Sequence, residues 1–273
     1  MSEFLTNVTS GEYFKLRKRR VSAPFIVWTM QRTGGTTLAA LLEDLSEFPS
    51  FQHEPFNVDR VLGWIVKHWQ ENGSPTATRE NILHALETKP VIKHCYELIP
   101  DEFNLALMAS ATKLGYRHII LDRRDEPKRI LSLELAKLTG AWGGNGVREI
   151  YDSIQSGKVK LDAIDQRSAM HQMARSYNSR RTLSEQMTQS NVSPFVVYFE
   201  DVYSDPEAGR KRISELLNFV GIKPENFDNY AKQVDDALLT RGQNSASIMG
   251  LVPNIRNVQE ALEDGHKKQS FQF

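Results

Sequence analysis

The chain has 273 residues, 40% of them hydrophobic and 25% charged, a balance that excludes a disordered or fibrous polymer. Lysine plus arginine and aspartate plus glutamate both number 34, so no whole-molecule field draws it to nucleic acid, and any anionic ligand has to be held by a local group of cations. The single cysteine, Cys95, forms no internal disulfide, no metal-ligand spacing is present, and no apolar stretch reaches about 18 residues; a soluble, cytoplasmic protein without a metal or a membrane span is expected.

Residues 1–20 read as a polar arm ending in KLRKRR, five cations in six positions, which with the rest of the chain neutral is a solvated segment rather than a nucleic-acid contact. Phe25 to Thr29 follows Pro24 and is short and β-rich, a buried strand ended by Gly34 and Gly35. Leu38, Leu41, Leu42 and Leu45 then recur at helical spacing behind the capping candidates Thr36 and Thr37. Further strands are expected at Val91 to Tyr96, His118 to Asp122 and Phe195 to Phe199, with helices around residues 59–72, 101–114, 127–139, 165–190 and 206–220. Short apolar strands alternating with helices predict an α/β fold, three layers with a central parallel sheet. The glycine patch from Gly140 to Gly146 is a loop or lid, and the main domain runs over 21–240. The tail, 241–273, is polar and without periodicity; it is expected as a long loop or a frayed end that could reach the nucleotide site, for example through Arg241 and Gly242.

Two segments carry chemistry. Gln31 to Thr37 (QRTGGTT) sits where a strand turns into a helix, so N–H groups without intrahelical partners and the positive end of the helix dipole converge there. Gly34 and Gly35 allow close backbone approach to an anion, Thr36 and Thr37 add hydroxyls, and Arg32 adds a fork of charged donors. The loop is shorter than that of nucleoside triphosphatases and lacks their lysine. The second segment, Arg123 to Ser132 (RRDEPKRILS), places Arg124 at a strand end and Ser132 eight residues later, so a guanidinium and a hydroxyl can reach one ligand; an Arg–Asp salt bridge is the alternative.

With those residues in view, QRTGGTTL resembles the 5′-phosphosulfate loop of sulfotransferases that use 3′-phosphoadenosine 5′-phosphosulfate (PAPS), in the R-S-G-S-T branch that includes bacterial glycolipid enzymes. RRDEPKRILS resembles their 3′-phosphate motif, and YFEDVYSDP at Tyr198 to Pro206, followed by the helix at Ile213 to Gly221, resembles a downstream segment of the family. Together these span residues 24–222. The resemblance implies a P-loop-like fold, PAPS as co-substrate and 3′,5′-adenosine bisphosphate (PAP) as product, with no metal. Arg32, Thr33, Gly34, Gly35, Thr36 and Thr37 would hold the phosphosulfate, and Arg124 and Ser132 the 3′-phosphate. The sequence departs from the family in carrying arginine at position 32, where cytosolic members have lysine, and in placing Pro127 one residue late.

Sulfuryl transfer needs a base for the acceptor proton. FQHEPFN, at 51–57, is similar to the glutamate-bearing segment of the bacterial branch, which ranks Glu54 first; His94, at the end of the second strand, is second and His53 third. The alternatives for the histidines are a satisfied strand-end residue and an exposed loop residue. Lys93 resembles a lysine of the bacterial branch or is an edge-strand charge. Glu200 and Asp201 are expected to tie loops, Trp64, Trp69, Met170, Met173 and Tyr177 to line the core or an acceptor pocket built from 51–80 and 140–160, and Trp142 to cover the acceptor. The acceptor is a small molecule or glycan bearing a hydroxyl; a P-loop nucleotide kinase and a non-catalytic nucleotide-binding descendant are the rival readings. The sequence leaves monomer and homodimer open.

Overall fold

The computed structural model describes residues 22–51, 53–143, 146–239 and 245–273. Four short strands, β1 (Phe25–Thr29), β2 (Ile92–Cys95), β3 (Arg117–Asp122) and β4 (Phe195–Tyr198), form one parallel sheet in the order β2-β1-β3-β4. Parallel neighbours need crossovers, and helices supply them. Between β1 and β2 lie α1 (Gly35–Asp44), α2 (Gly63–Asn72) and α3 (Pro75–Ala85); α4 (Asp101–Lys113) precedes β3; α5 (Glu126–Thr139), α6 (Val147–Gln155) and α7 (Gln166–Gln189) precede β4. After β4 come α8 (Phe199–Tyr203), α9 (Pro206–Val220), α10 (Tyr230–Leu239), α11 (Ala246–Met249) and α12 (Ile255–Gln269).

Alternation along β1 builds two cores. Ile26 and Trp28 pack with Phe56, Ile65, Phe103 and Leu183 on one face; Phe25 and Val27 pack with Leu38, Leu42, Ile213 and Leu217 on the other. The sheet is therefore covered by helices on both sides. A third cluster joins α5, α6, α7, α11 and α12 through Leu131, Tyr151, Tyr177, Ile248 and Leu262.

The four expected strands are present, and four of the five expected helices lie within a residue or so of their expected spans. The fifth, α2, starts only at Gly63, because a chain of turns (Asn57 N–H to Glu54 C=O, Arg60 to Asn57, Gly63 to Arg60) occupies the preceding stretch. The expectation of a loop or frayed end for the tail is corrected: Val258 and Leu262, one turn apart, sink into the third cluster, and α12 packs along α7 and α5. Among the other helices the sequence reading passed over, α3 carries a cap-and-proline start, Ser74 Oγ accepting the N–H of Ala77 with Pro75 in the first turn. Gly140 closes α5 and Gly146 opens α6, both in left-handed conformations, so the two ends of the glycine patch are helix caps; Gly144 and Asn145 lie outside the described residues. The basic arm and Arg241 with Gly242 lie outside the described residues. Among those described, no helix is long and apolar enough to cross a membrane.

Candidate functional site

In a parallel sheet, ligands bind outside the carboxyl ends of the strands, where the strand order reverses. Here the chain steps from β1 to β2 on one side and returns to β3 on the other, so that point lies between β1 and β3. The loop from Met30 to Gly34 leaves β1 there, and Arg123 and Arg124 leave β3 beside it.

Within the loop, φ is positive at Arg32 (68°) and Gly34 (76°) and negative at Thr33 and Gly35. Alternating hands turn successive N–H groups toward one side and make a concave nest for an anion. Neighbouring side chains crowd both glycines, Gly34 more severely than Gly35. A Cβ on Gly34 would lie 2.8 Å from the Phe199 ring, and one on Gly35 would lie 3.1 Å from Lys93 Cε. Thr33 points inward instead: its hydroxyl donates to Met30 C=O at 2.8 Å and meets Thr29 Oγ1 in a short hydrogen bond, so it braces the turn. Thr36 is exposed and Thr37 half-buried at the start of α1.

Arg32 Nε donates to Ser132 Oγ at 3.0 Å, which joins the two motifs, and Ser132 Oγ meets Ser245 Oγ at 3.2 Å. No carboxylate pairs with Arg32 among the described residues. Burial pulls its pKa below the ordinary arginine value, with nearby Arg123 acting in the same sense and Tyr151 opposing, yet a guanidinium keeps its charge at neutral pH. A desolvated cation beside a nest is suited to an anionic group.

Arg124 is held otherwise. It forks onto Asp201 at 2.5 and 3.0 Å and lies 3.9 Å over the Tyr198 ring, the salt-bridge alternative for this position. Its pKa is raised, chiefly by the Asp201 hydrogen bond. Glu200 accepts the N–H groups of Arg124 and Asp125, so these two acids tie α8 to the segment that follows β3. Asp125 caps α5 by accepting Lys128 N–H, which settles the helix start that the late Pro127 left open.

Of the three candidate bases, Glu54 is the one placed at the loop. Its Oε1 accepts from Lys93 Nζ at 2.6 Å and its Oε2 from Asn57 Nδ2 at 2.9 Å, while Lys93 Nζ lies 3.4 Å from Thr36 Oγ1. Burial alone would raise the Glu54 pKa; the charge and hydrogen bond of Lys93, with the Asn57 bond, outweigh it and hold the carboxyl below its ordinary value. Glu54 also adopts a left-handed φ of 58°, a conformation that costs a non-glycine residue ~1 kcal/mol and recurs at functional sites.

His94 is not brought to the loop. Adjacent strand residues face opposite sides, so Lys93 points to the α1 face and His94 into the opposite core, fully buried against Trp28 and Phe56. Asn104 spends its amide N–H groups on Tyr96 and Ile99 carbonyls, so its Oδ1 accepts from His94 Nε2 at 2.7 Å. Burial pushes the His94 pKa down to about 4. His53 sits at the rim, 3.7 Å from Glu43, its pKa lowered by burial. Trp69 packs on the first core, whereas Trp64 and Trp142 are each 50% exposed. Met173 and Tyr177 belong to the core of the third cluster.

Glu97, Arg129 and Ser245 join the site without a sequence motif that assigns them a role. Glu97 follows the second strand and Arg129 stands within RRDEPKRILS, and the only signal for them is position at a strand end and in the first turns of a helix. No protein-family model and no curated protein matches the chain.

Proposed function

We propose that the chain is a sulfotransferase of P-loop-like fold that moves the sulfuryl group of PAPS to a hydroxyl on a sugar, glycolipid or small alcohol. The observation that carries this reading is the Arg32 to Ser132 hydrogen bond, which unites a glycine-built nest at the switch point of the sheet and the last residue of the second motif. The nest N–H groups and Arg32 suit the phosphosulfate end, and Ser132 lies where a second anionic group of the same ligand would be met. In the reaction the acceptor oxygen bonds to sulfur as the bond from sulfur to the bridging phosphate oxygen breaks. Glu54 takes the acceptor proton, and Arg32 with the helix N-terminus meets the charge growing on the departing phosphate. Lys93 keeps Glu54 ionised and so able to accept that proton. A sulfuryl group carries less charge than a phosphoryl group, so side chains and backbone serve here in place of a metal. Cytoplasmic action belongs to the same proposal, since Cys95 is a free buried thiol, as suits a reducing compartment.

The test is calorimetric titration with PAP in the presence of a chelator. Binding that is lost in Arg32→Ala supports the reading, and no binding by the intact protein sinks it. A second reading, a P-loop nucleotide kinase, is favoured by one observation: Arg124, the residue that would hold a 3′-phosphate, is already committed to Asp201. A thermal shift with ATP and Mg²⁺ but none with PAP would select the kinase. PAP binding without transfer from radiolabelled PAPS to any acceptor class would indicate a non-catalytic descendant.

A further inference from the structure

The Arg129 side chain is completely buried and that of Glu97 is 5% exposed, and both converge on Gln31 in the anion loop, one on each of the two peptide groups that flank its Cα. Glu97 Oε1 accepts the N–H of Gln31 at 2.6 Å, and Arg129 Nη1 donates to the C=O of the same residue at 2.8 Å. The two side chains lie 3.8 Å apart, and Glu97 Oε2 is buried without a hydrogen-bond partner. Arg129 is itself fixed by a fork onto Glu126 at 2.7 and 2.8 Å and by Ser176, and Arg180 binds both Glu126 and Asp122 behind it. The next carbonyl, that of Arg32, is turned toward Arg123 at 3.4 Å.

Such a network is weak support for stability, because desolvating its charges offsets much of their attraction. Its geometry points to a different use. A carbonyl facing an anion repels it, and arginine donors hold both carbonyls that precede the nest. The left-handed φ of Arg32 directly follows the Gln31–Arg32 peptide that Arg129 holds, one peptide beyond the one that Glu97 holds, and needs something to fix it. We infer that Glu97 and Arg129 are positioning residues, a clamp on the two peptide groups either side of Gln31 that sets the hand of the loop and thereby its affinity for the anionic co-substrate. This rests on the proposed function only for the identity of the anion.

The sign of the effect separates positioning from simple electrostatics. Removing a carboxylate from beneath an anion site should strengthen anion binding if charge alone matters. The clamp requires the opposite for Glu97→Ala, which loses the acceptor, and near wild-type or tighter binding for Glu97→Gln, whose amide oxygen can still accept. Amide hydrogen exchange is measured on wild type, Glu97→Gln and Glu97→Ala, with β3 amides as the internal control for global stability, and PAP affinity is measured by calorimetry. Expected are exchange at Gln31 faster by about tenfold in Glu97→Ala with β3 unchanged, PAP affinity lower by about tenfold in that variant, and both restored in Glu97→Gln. Unchanged Gln31 exchange in Glu97→Ala, acceleration spread equally over β3, or tighter PAP binding by Glu97→Ala overturns the clamp. Should wild type bind no PAP, the sulfotransferase reading falls, and the exchange data alone decide on the clamp.

Discussion

Arg32 Nε and Ser132 Oγ are 3.0 Å apart in space and 100 residues apart in sequence. The contact makes the two residues one unit, so their substitutions should not add. Arg32→Ala removes the charge and is expected to lower PAP affinity by about 100-fold; Ser132→Ala removes a neutral partner and lowers it by about 5- to 10-fold. The double variant should lose less than the product of the two factors, as calorimetry on the four proteins of the cycle will show. Full multiplicativity would mean that the hydrogen bond plays no part in binding.

Glu54→Gln should bind PAP as the wild type does and transfer no sulfuryl group, because the amide keeps the shape but accepts no proton. Lys93→Met tests the same pair from the other side. Without the ammonium, burial raises the Glu54 pKa. The base works only when ionised, so the acid limb of the rate profile should move to higher pH. An unmoved acid limb would assign the base role elsewhere.

Gly34→Ala places a Cβ 2.8 Å from Phe199 on a backbone at φ 76°. Both the contact and the backbone hand oppose it, and the loop has to rearrange. The expected cost is about 1–3 kcal/mol of stability, read by denaturant unfolding, together with loss of anion binding. A variant that unfolds early yet still binds PAP with wild-type affinity would show that the hand of this residue is dispensable.

Stability should fall as pH drops from about 6.5 to about 4. Burial pushes both His94 and His118 down to about 4. Trp28 Nε1 donates to His118 Nδ1 at 3.0 Å, and His94 Nδ1 is buried without a partner, so neither ring takes a second proton without losing or lacking a hydrogen bond. In that window the unfolded chain binds protons that the folded one refuses. Each histidine therefore withdraws up to ~3 kcal/mol, and below about 4 its contribution stays constant. Glu126 adds an acid-side loss of its own. Burial opposes its charge but Arg129 and Arg180 prevail and hold its pKa at about 2, so its contribution disappears as pH falls from the ordinary carboxylate range toward 2. Urea unfolding midpoints at a series of pH values test both, and a flat profile between pH 6.5 and 4 contradicts the histidine account.

Leu262→Ala empties a position fully buried in the third cluster and should cost about 2–5 kcal/mol. If α12 were an accessory tail, the cost would be near zero in a thermal melt.

Sequence pattern was a sufficient guide to the sheet because β1, β3 and β4 carry short apolar runs, the trace that a buried parallel strand leaves, while β2, with Lys93 and His94 at its centre, is marked by Pro90 ahead of it and by Val91 and Ile92 at its start. Glu54 and Arg32 were legible because they stand in motifs. The roles of Glu97 and Arg129 were not, even though Arg129 stands in the second motif, because they depend on Gln31, 66 and 98 residues away, which no local spacing encodes. The same limit hid α12: its buried stripe is two residues wide, Val258 and Leu262, and a moderate apolar signal inside a polar segment reads as a loop. His94 shows the converse. The resemblance placed a histidine near the right element, but the side chain's face depends on strand register, which pairs Trp28 with His94 and Val27 with Lys93.

That pairing makes β2 self-proofreading. A slip by one residue would drive the Lys93 ammonium into the aromatic core beside Trp28 and Phe56 and turn the His94 ring toward α1, stripping Glu54 of its counter-ion in the same movement. Misregistered molecules would thus lose folding stability and the candidate base together, so a chain with this strand misaligned is one that cannot persist as a folded but defective protein.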